Sequence, residues 1–200
     1  MLEHVPAWLG KSLRNVRAGH AKLVVAKLGA ENLVGKGGFD LKSAAFGHNE
    51  ELDPSFTADE EDAVAPPLEW TAPPPGTQEL VLIVEDADSP SAEPFCHWLV
   101  WGLPGQKGQL LEGETPPRVG KNSYGNSEWL LPDPPTGHEA HDYVFQLFAL
   151  DLPLVLMPGA TRDELVAAME GHVVGLALLT GTYAREEGGD YDMDEGDDDV

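Results

Sequence analysis

The sequence predicts a mainly β protein, an antiparallel β-sandwich with a few short peripheral helices. Long runs of apolar, β-branched and aromatic residues indicate strands, the connections are rich in proline and glycine, and helical spacing is confined to short segments. With 200 residues, 42% of them hydrophobic, the chain can form one domain with a substantial core.

The first half of the domain is predicted to be irregular and then strongly β. Residues 41–75 carry closely spaced acidic residues and prolines around 66–70, which indicates a loop, a short strand and a second loop. Residues 78–85 form a continuous apolar run between turn signals. We expect a strand there that is buried on both faces.

A second strand is predicted to begin at His97. Strict alternation would place His97, Leu99 and Trp101 on one face and Trp98 on the other, since successive side chains of a strand point to opposite faces.

The second half of the domain is predicted to contain two further strands and a helix. Residues 142–150 form a predicted strand, and the period of two places His141, Tyr143 and Phe145 on a common face. The spacing of Thr161 and Glu164 is that of a capping box, which predicts a helix that ends at Gly171. Residues 172–183 are then predicted to form a returning strand.

Three segments are predicted along the chain. Residues 1–42 form a basic N-terminal extension, residues 43–185 the β-sandwich domain, and residues 186–200 an acidic, disordered tail. The extension begins with a predicted amphipathic helix that packs on the domain or on a second subunit and would then make the protein a homodimer. Its apolar residues are Val5, Trp8, Leu9, Leu13 and Val16, and its basic residues are Lys11, Arg14 and Arg17.

Composition excludes several function classes. Twelve basic residues against 35 acidic ones give a net charge of −23, which disfavours nucleic acid and anionic membrane surfaces as partners. No run approaches the roughly 20 apolar residues that span a bilayer. The single cysteine, Cys96, cannot form an intramolecular disulfide, and the N-terminus does not resemble a secretory signal, so we expect a cytoplasmic protein.

Polar residues collect at the predicted strand ends, where a β-scaffold holds the groups of a binding or catalytic site. The candidates are Asp86, Asp88, His97, His138, Glu139 and His141. Three kinds of site remain open from the residues alone: a metal centre using His97, His141 and a carboxylate, an acid/base site, or an anion pocket in which imidazole and backbone N–H groups donate.

Cys96 beside His97 invites comparison with a thiol nucleophile and its base. Adjacent strand residues point to opposite faces, so the two side chains cannot easily share a proton. We therefore expect Cys96 to be a buried, inert thiol.

Several ordered motifs resemble the phosphatidylethanolamine-binding protein family, in particular its bacterial Raf-kinase-inhibitor-like branch. The resemblance covers roughly residues 53–185. Its motifs are PPLEW at 66–70, DADSP at 86–90, FCHW at 95–98, the segment from Gly137 to Tyr143, and LTGTYAR at 179–185.

The resemblance implies a Greek-key β-sandwich with a small, preformed cavity for phosphate-like anions. Residues matching the family pattern would line or support it: Asp86, Asp88, His97, His141 and Tyr143, with Pro132 and Asp133 on the rim. Ala87 departs from the pattern by replacing a proline, and Asp142 stands where many relatives have Arg or His, which removes a donor near the rim.

The sequence thus predicts a non-enzymatic binding protein without a cofactor, whose ligand is phosphate or a phosphorylated small molecule or lipid headgroup. The resemblance also implies regulation of a protein partner such as a kinase. Two alternatives remain: inhibition of a protease or kinase through a protein surface, and a metal-dependent hydrolase using His97, His141 and Asp86.

Overall fold

A computed structural model describes residues 19–89, 91–137 and 139–185. Within these ranges a small sheet, a large sheet and a layer of helices and loops are stacked. The strands are β1 (Leu41–Lys42), β2 (Glu50–Glu51), β3 (Leu68–Trp70), β4 (Glu79–Asp86), β5 (Phe95–Pro104), β6 (Gly108–Leu110), β7 (Arg118–Val119), β8 (His141–Leu150) and β9 (Val173–Tyr183). The α-helices are α1 (Val24–Leu28) and α2 (Arg162–Met169), and four short 3₁₀ segments lie at His20–Lys22, Glu31–Leu33, Lys36–Gly38 and Pro54–Phe56.

The large sheet has the strand order β2-β9-β8-β4-β5-β7, and the small sheet has the order β1-β3-β6. The strand pairs of the described residues are antiparallel except for β2 with β9, which is parallel. Strand β8 returns to lie beside β4 rather than beside β7. This order of β8, β4, β5 and β7 is of the Greek-key type.

The large sheet is buried on both faces. One face packs against the small sheet through residues that include Trp70, Val84 and Phe145. The other packs against the helices through residues that include Ile83 and Phe148. Every residue of β4 and β8 is therefore buried, which explains why both strands have nearly continuous apolar sequences.

Buried polar side chains of the large sheet hold α1 in place. A carboxylate oxygen of Glu85, which has no exposed surface, accepts a hydrogen bond from the Val24 backbone N–H at 2.9 Å. The amide oxygen of Gln146 accepts from the Val25 N–H at 2.7 Å. These two acceptors satisfy N–H groups at the helix N-terminus that have no partner within the helix. Arg162 of α2 completes the network with its Nε 2.6 Å from Glu85 Oε1.

The predicted fold class is confirmed, and so are the buried strand at β4, the strands at β8 and β9, and the capping box. Thr161 Oγ1 accepts from the Glu164 N–H, and the Glu164 carboxylate accepts from the Thr161 N–H. The predicted amphipathic helix and acidic tail lie outside the described residues. None of the helices in the described part of the chain is long and apolar enough to cross a membrane.

The prediction for His97 was wrong in one respect. Strand β5 begins at Phe95, and its pairing with β4 shifts so that Val84 faces Trp98 while Glu85 faces Cys96. His97 is the extra residue of a β-bulge, and a bulge interrupts the alternation of faces. The imidazole consequently lies on the same side as Trp98, and both rings contact Trp129.

Candidate functional site

A cavity of about 340 Å³ lies where β4 ends and β5 and β8 begin. A cavity of this size suits a small molecule. It is lined by Asp86, Ser89, Ser91, Phe95, His97, Tyr124, Leu130, Leu131, Asp133, Pro134, Pro135, His141 and Tyr143.

Strand register brings the polar residues of the cavity together. Asp86, the last residue of β4, faces Phe95 on one neighbouring strand and Tyr143 on the other. His141 precedes Tyr143 by two residues and therefore lies on the same face. The bulge in β5 turns His97 toward this group, and its ring meets the Tyr143 ring edge-on with centroids 5.1 Å apart.

Asp86 orients His141 from behind. Asp86 Oδ2 lies 2.8 Å from Nδ1 of His141, and Asp86 Oδ1 accepts a hydrogen bond from the Asp88 backbone N–H, also at 2.8 Å. Both side chains are almost wholly buried. Because a carboxylate accepts, Nδ1 of His141 carries a proton, and the imidazole ring is fixed in one orientation.

His97 is held in one tautomer. Its Nδ1 lies 2.7 Å from the carbonyl oxygen of Leu130, and a carbonyl can only accept, so Nδ1 carries the proton. Burial lowers the pKa of the His97 imidazole below its ordinary value, although the Leu130 carbonyl and Asp86 act in the opposite direction. The ring is therefore neutral near pH 7. Its Nε2 has a lone pair and accepts hydrogen bonds, contrary to the imidazole donor expected of an anion pocket.

Tyr143 supplies a donor instead. Burial raises the pKa of its phenol well above the ordinary value, and Asp86 and Asp133 add to the effect. The hydroxyl thus stays protonated. The two serines of the cavity use their protons elsewhere: Ser91 Oγ donates to the Glu93 carbonyl, and Ser89 Oγ, 3.0 Å away, can then donate to Ser91 Oγ.

The rim of the cavity is fixed by an ion-pair cluster. Arg185 Nη1 lies 2.5 Å from Asp133 Oδ1, and Arg185 Nη2 lies 2.6 Å from Asp59 Oδ1. The Tyr183 hydroxyl also donates to Asp59. Hydrogen bonds from Tyr183 and Arg185 lower the pKa of the Asp59 carboxyl below its ordinary value. Arg185 therefore ties the loop that carries Asp133 to the body of the domain.

The charge of the cavity is unusual for an anion site. Its lining carries the carboxyl groups of Asp86 and Asp133 and has neither lysine nor arginine among the described residues. Arg185 is close but is occupied by Asp59 and Asp133. A ligand of high negative charge would meet repulsion here, so the cavity suits a ligand of low net charge.

Most of the expected site residues meet in this cavity, while two serve it indirectly. Asp88 does not line it; its Oδ2 accepts a hydrogen bond from the Asp142 backbone N–H at 2.7 Å and thereby links β4 to β8. Pro132 is buried behind the rim, where its carbonyl accepts from the Ala58 N–H. Glu139 is exposed outside the lining, and His138 lies outside the described residues.

Asp142, described above as a departure from the pattern that the motifs resemble, turns away from the cavity. Its Oδ2 lies 3.5 Å from Nε2 of His20, and both side chains are buried. His20 belongs to the N-terminal extension and carried no sequence signal as a site residue. The extension therefore reaches the back of the site and supplies an imidazole beside Asp142.

Sequence reasoning missed the apolar half of the lining. Phe95 and Tyr124 meet edge-on at 5.3 Å, and Leu131 lies beside them in the cavity. Phe95 lies inside the FCHW motif and could have been found there. Arg185 ends the LTGTYAR motif and could have been found there too, whereas Tyr124 could not, because it reaches the cavity from a segment that lies outside the motifs.

The prediction for Cys96 agrees with the structure. The thiol is buried on the helix-facing side of the sheet, away from the cavity, and burial raises its pKa to about 12. Within the described ranges, no group of three or more His, Cys, Asp and Glu side chains is arranged to hold a metal ion. The arrangement of His97, His141 and Asp86 is that of a hydrogen-bonding site.

The fold and the cavity define a β-sandwich protein with a small cavity at the ends of its central strands. The family profile described as phosphatidylethanolamine-binding protein matches residues 42–184. The chain belongs to this family.

Curated relatives and solved structures agree with this family assignment. The UPF0098 protein of Pyrococcus abyssi is 37% identical over 173 residues, covering 82% of this chain and 96% of the relative. The UPF0098 protein of Methanothermobacter thermautotrophicus is 36% identical over 156 residues, covering 73% of this chain and 99% of the relative. A crystal structure of a phosphatidylethanolamine-binding protein homolog from Chlamydia trachomatis is 33% identical and superposes with a TM-score of 0.68, covering 74% and 97%. YbcL of E. coli, at 22% identity and a TM-score of 0.65, shares the fold.

Proposed function

We propose that this protein binds phosphate or a phosphorylated headgroup in its monoanionic form. One observation carries the proposal: adjacent side chains of the cavity offer one acceptor, His97 Nε2, and one donor, the Tyr143 hydroxyl. A monoanionic phosphoryl group has a P–O–H to donate and P–O oxygens to accept.

The charge of the lining supports the same form. Asp86 and Asp133 would repel a second negative charge, and the described lining offers no lysine or arginine to offset it. Recognition therefore depends on hydrogen bonds of matched polarity. The geometry requires no covalent step, and a binding protein accounts for each polar contact of the site.

Calorimetric titration with inorganic phosphate and with phosphoethanolamine tests the proposal. The second pKa of a phosphoryl group is near 6, and above it the monoanion declines, so affinity should fall by nearly tenfold per pH unit. The two probes differ in this pKa. The pH at which affinity begins to fall should therefore differ between them and should match the second pKa of each probe. A common midpoint for both would mean that the protein supplies the proton, and the proposed recognition would be wrong.

Two conservative variants test the pair of groups. His97→Asn keeps an N–H that can reach the Leu130 carbonyl but is too short to place an acceptor where Nε2 lies, and Tyr143→Phe removes only the hydroxyl. Each should weaken binding by about 10- to 100-fold, since a hydrogen bond to a charged group contributes about 1.5–3 kcal/mol. His172→Asn, at the surface, is the control and should bind like the wild type. Wild-type affinity in both cavity variants would overturn the proposal, as would no binding by the wild type.

A further inference from the structure

A second depression, an open groove, adjoins the cavity and is larger. Its volume is about 670 Å³, against about 340 Å³ for the cavity, and Tyr124 and Leu131 are among the residues that line both. His97 and Tyr143, the two groups proposed to bind the phosphoryl ligand, do not line the groove. The groove is therefore a separate surface that begins at the rim of the cavity.

Much of the groove is apolar and aromatic. The rings of Trp98 and Trp129 meet edge-on with centroids 5.5 Å apart, and Val64 and Val119 also line the groove. Tyr124 adds an aromatic side chain that is 68% exposed. Aromatic side chains are enriched at protein–protein interfaces and contribute much of their binding energy. The groove can thus bury apolar side chains of a partner.

Hydrogen bonds between segments fix the shape of the groove. The Gly113 N–H donates to the Ala65 carbonyl at 3.0 Å. Asn122 accepts the Tyr124 N–H through Oδ1 at 3.0 Å, and its Nδ2 donates to the Glu128 carbonyl at 3.2 Å. A surface held in this way needs little reordering when a partner binds, which lowers the entropic cost of association.

The border of the groove is acidic, and its carboxyl groups are not used within the domain. Five exposed side chains in or beside the lining have no ion-pair or hydrogen-bond partner among the described residues: Glu60, Glu61, Asp62, Glu112 and Glu128. The described lining contains neither lysine nor arginine. Another groove of the same surface differs, since Lys42 and Lys107 line it.

Charge decides between the possible occupants. A second copy of this chain carries a net charge of −23, and a nucleic acid carries a negative charge on each phosphate, so the acidic border repels both. A basic segment that also carries apolar side chains matches both parts of the groove, its border and its aromatic lining.

We propose that this groove docks a segment of another protein in which apolar or aromatic side chains alternate with lysine or arginine. The apolar side chains pack on Trp129 and Tyr124. The cations lie against Asp62, Glu112 and Glu128. Burial of apolar surface stabilises the complex, while the opposite charges accelerate association and disfavour acidic partners.

NMR titration of the isotope-labelled full chain with three synthetic hexapeptides tests the docking and needs no ligand in the cavity. The first peptide alternates lysine with leucine, the second lysine with serine, and the third glutamate with leucine. Only the lysine–leucine peptide should shift the amide signals of Val64, Gly113 and Tyr124 and the indole signal of Trp129, and the shifts should saturate.

Three outcomes of the titration would overturn the proposal. Equal shifts with the lysine–serine peptide would reflect attraction by charge alone. No shifts of these signals with the lysine–leucine peptide would mean that the groove does not recognise such a segment. A sedimentation mass that rises with concentration in the absence of peptide, together with shifts of the same signals, would assign the groove to a second copy.

Substitutions in the groove test each half of the recognition. Asp62→Asn, Glu112→Gln and Glu128→Gln together should weaken binding of the lysine–leucine peptide by about tenfold, since each exposed ion pair contributes modestly. Tyr124→Ala, at an exposed position, should weaken it by about as much through lost apolar contact. Wild-type affinity in both variants would contradict the docking.

A matched triple variant controls for net charge. Glu69→Gln, Asp163→Asn and Glu170→Gln remove the same charge at exposed positions outside the groove and should leave the peptide affinity within about twofold of the wild type. Equal losses in the two triple variants would show that overall charge, not docking in the groove, controls binding, and the proposal would be wrong.

Discussion

His141 Nδ1 lies 2.8 Å from Asp86 Oδ2 in the interior, while His172 Nδ1 lies 2.9 Å from Asp151 Oδ1 at the surface. The side chains of the first pair are 4% and 6% exposed, and those of the second 42% and 46%. The protein thus contains the same pairing in two surroundings. Comparison of the two pairs separates the effect of burial from that of geometry.

Asp86→Ala should destabilise the protein by about 2–5 kcal/mol, because it leaves two buried donors, His141 Nδ1–H and the Asp88 N–H, without an acceptor. Asp151→Ala should change stability by about 0.5 kcal/mol or less, since water replaces the lost partner. Urea unfolding at pH 7 measures both. Similar losses in the two variants would mean that Asp86 is not the structural support of the site.

The buried ion pair of Glu85 and Arg162 gives a second prediction. Arg162→Met leaves a fully buried carboxylate without its cation and should cost about 3–5 kcal/mol. Lys27→Met removes an exposed partner of Glu170 and should cost about 0.5 kcal/mol or less. The free energies of unfolding of the two variants, measured in urea, test this prediction. A loss of about 1 kcal/mol or less for Arg162→Met would contradict it.

The sequence predicted the strands β4 and β8 because they are buried on both faces and therefore have nearly continuous apolar sequences. It predicted most of the polar cavity because Asp86, His97 and His141 stand at the margins of those runs. Local pattern was sufficient wherever a residue is positioned by its own strand.

The remainder depends on contacts between distant segments. The bulge at His97 appears only when β5 is paired with β4, so strict alternation placed its side chain on the wrong face. The partner of Asp142 is His20, 122 positions away, and Arg185 reaches Asp59 and Asp133 across the domain. The spacing of residues along the chain does not predict contacts between segments so far apart in sequence.

His97 should make the protein less stable in mild acid. Because its folded pKa is lowered, the unfolded chain binds a proton more readily below about pH 6.5, and stability therefore falls as the pH decreases from 7 toward the lowered value. One such group contributes at most about 1.4 kcal/mol per pH unit. His97→Asn should show a shallower loss between pH 7 and 5 in urea unfolding. Asp59, whose pKa is also lowered, titrates below this range. Identical slopes in variant and wild type would disprove the assignment.

Cys96 should resist thiol reagents in the native protein. Its pKa of about 12 leaves almost no thiolate at pH 8, and its burial blocks access. A colorimetric disulfide reagent should react negligibly with folded protein and with one equivalent of thiol after unfolding in urea. Rapid reaction of the folded protein would show that the helix-facing layer opens readily.

Arg185 is predicted to act as a positioning residue for the cavity rim. Its guanidinium holds Asp133 and Asp59 together, and its own carbonyl accepts a hydrogen bond from the Gly137 N–H at 3.4 Å. Arg185→Gln should therefore accelerate amide hydrogen exchange by about tenfold or more at the non-proline residues of 131–137, which include Asp133 and Gly137. Global stability should change by less than about 1 kcal/mol, because the side chains of the cluster are partly exposed.

Arg118→Gln, exposed on β7, is the matched control and should leave that exchange unchanged. If exchange of the rim is the same in both variants, the loop is held by its packing and by the contact between Ala58 and Pro132 rather than by the ion pairs. If only Arg185→Gln releases the rim, phosphate affinity should also fall in that variant, because Leu131 would no longer be held against the cavity. The hydrogen-exchange result is independent of any ligand and thus separates the role of Arg185 from the identity of what the cavity binds.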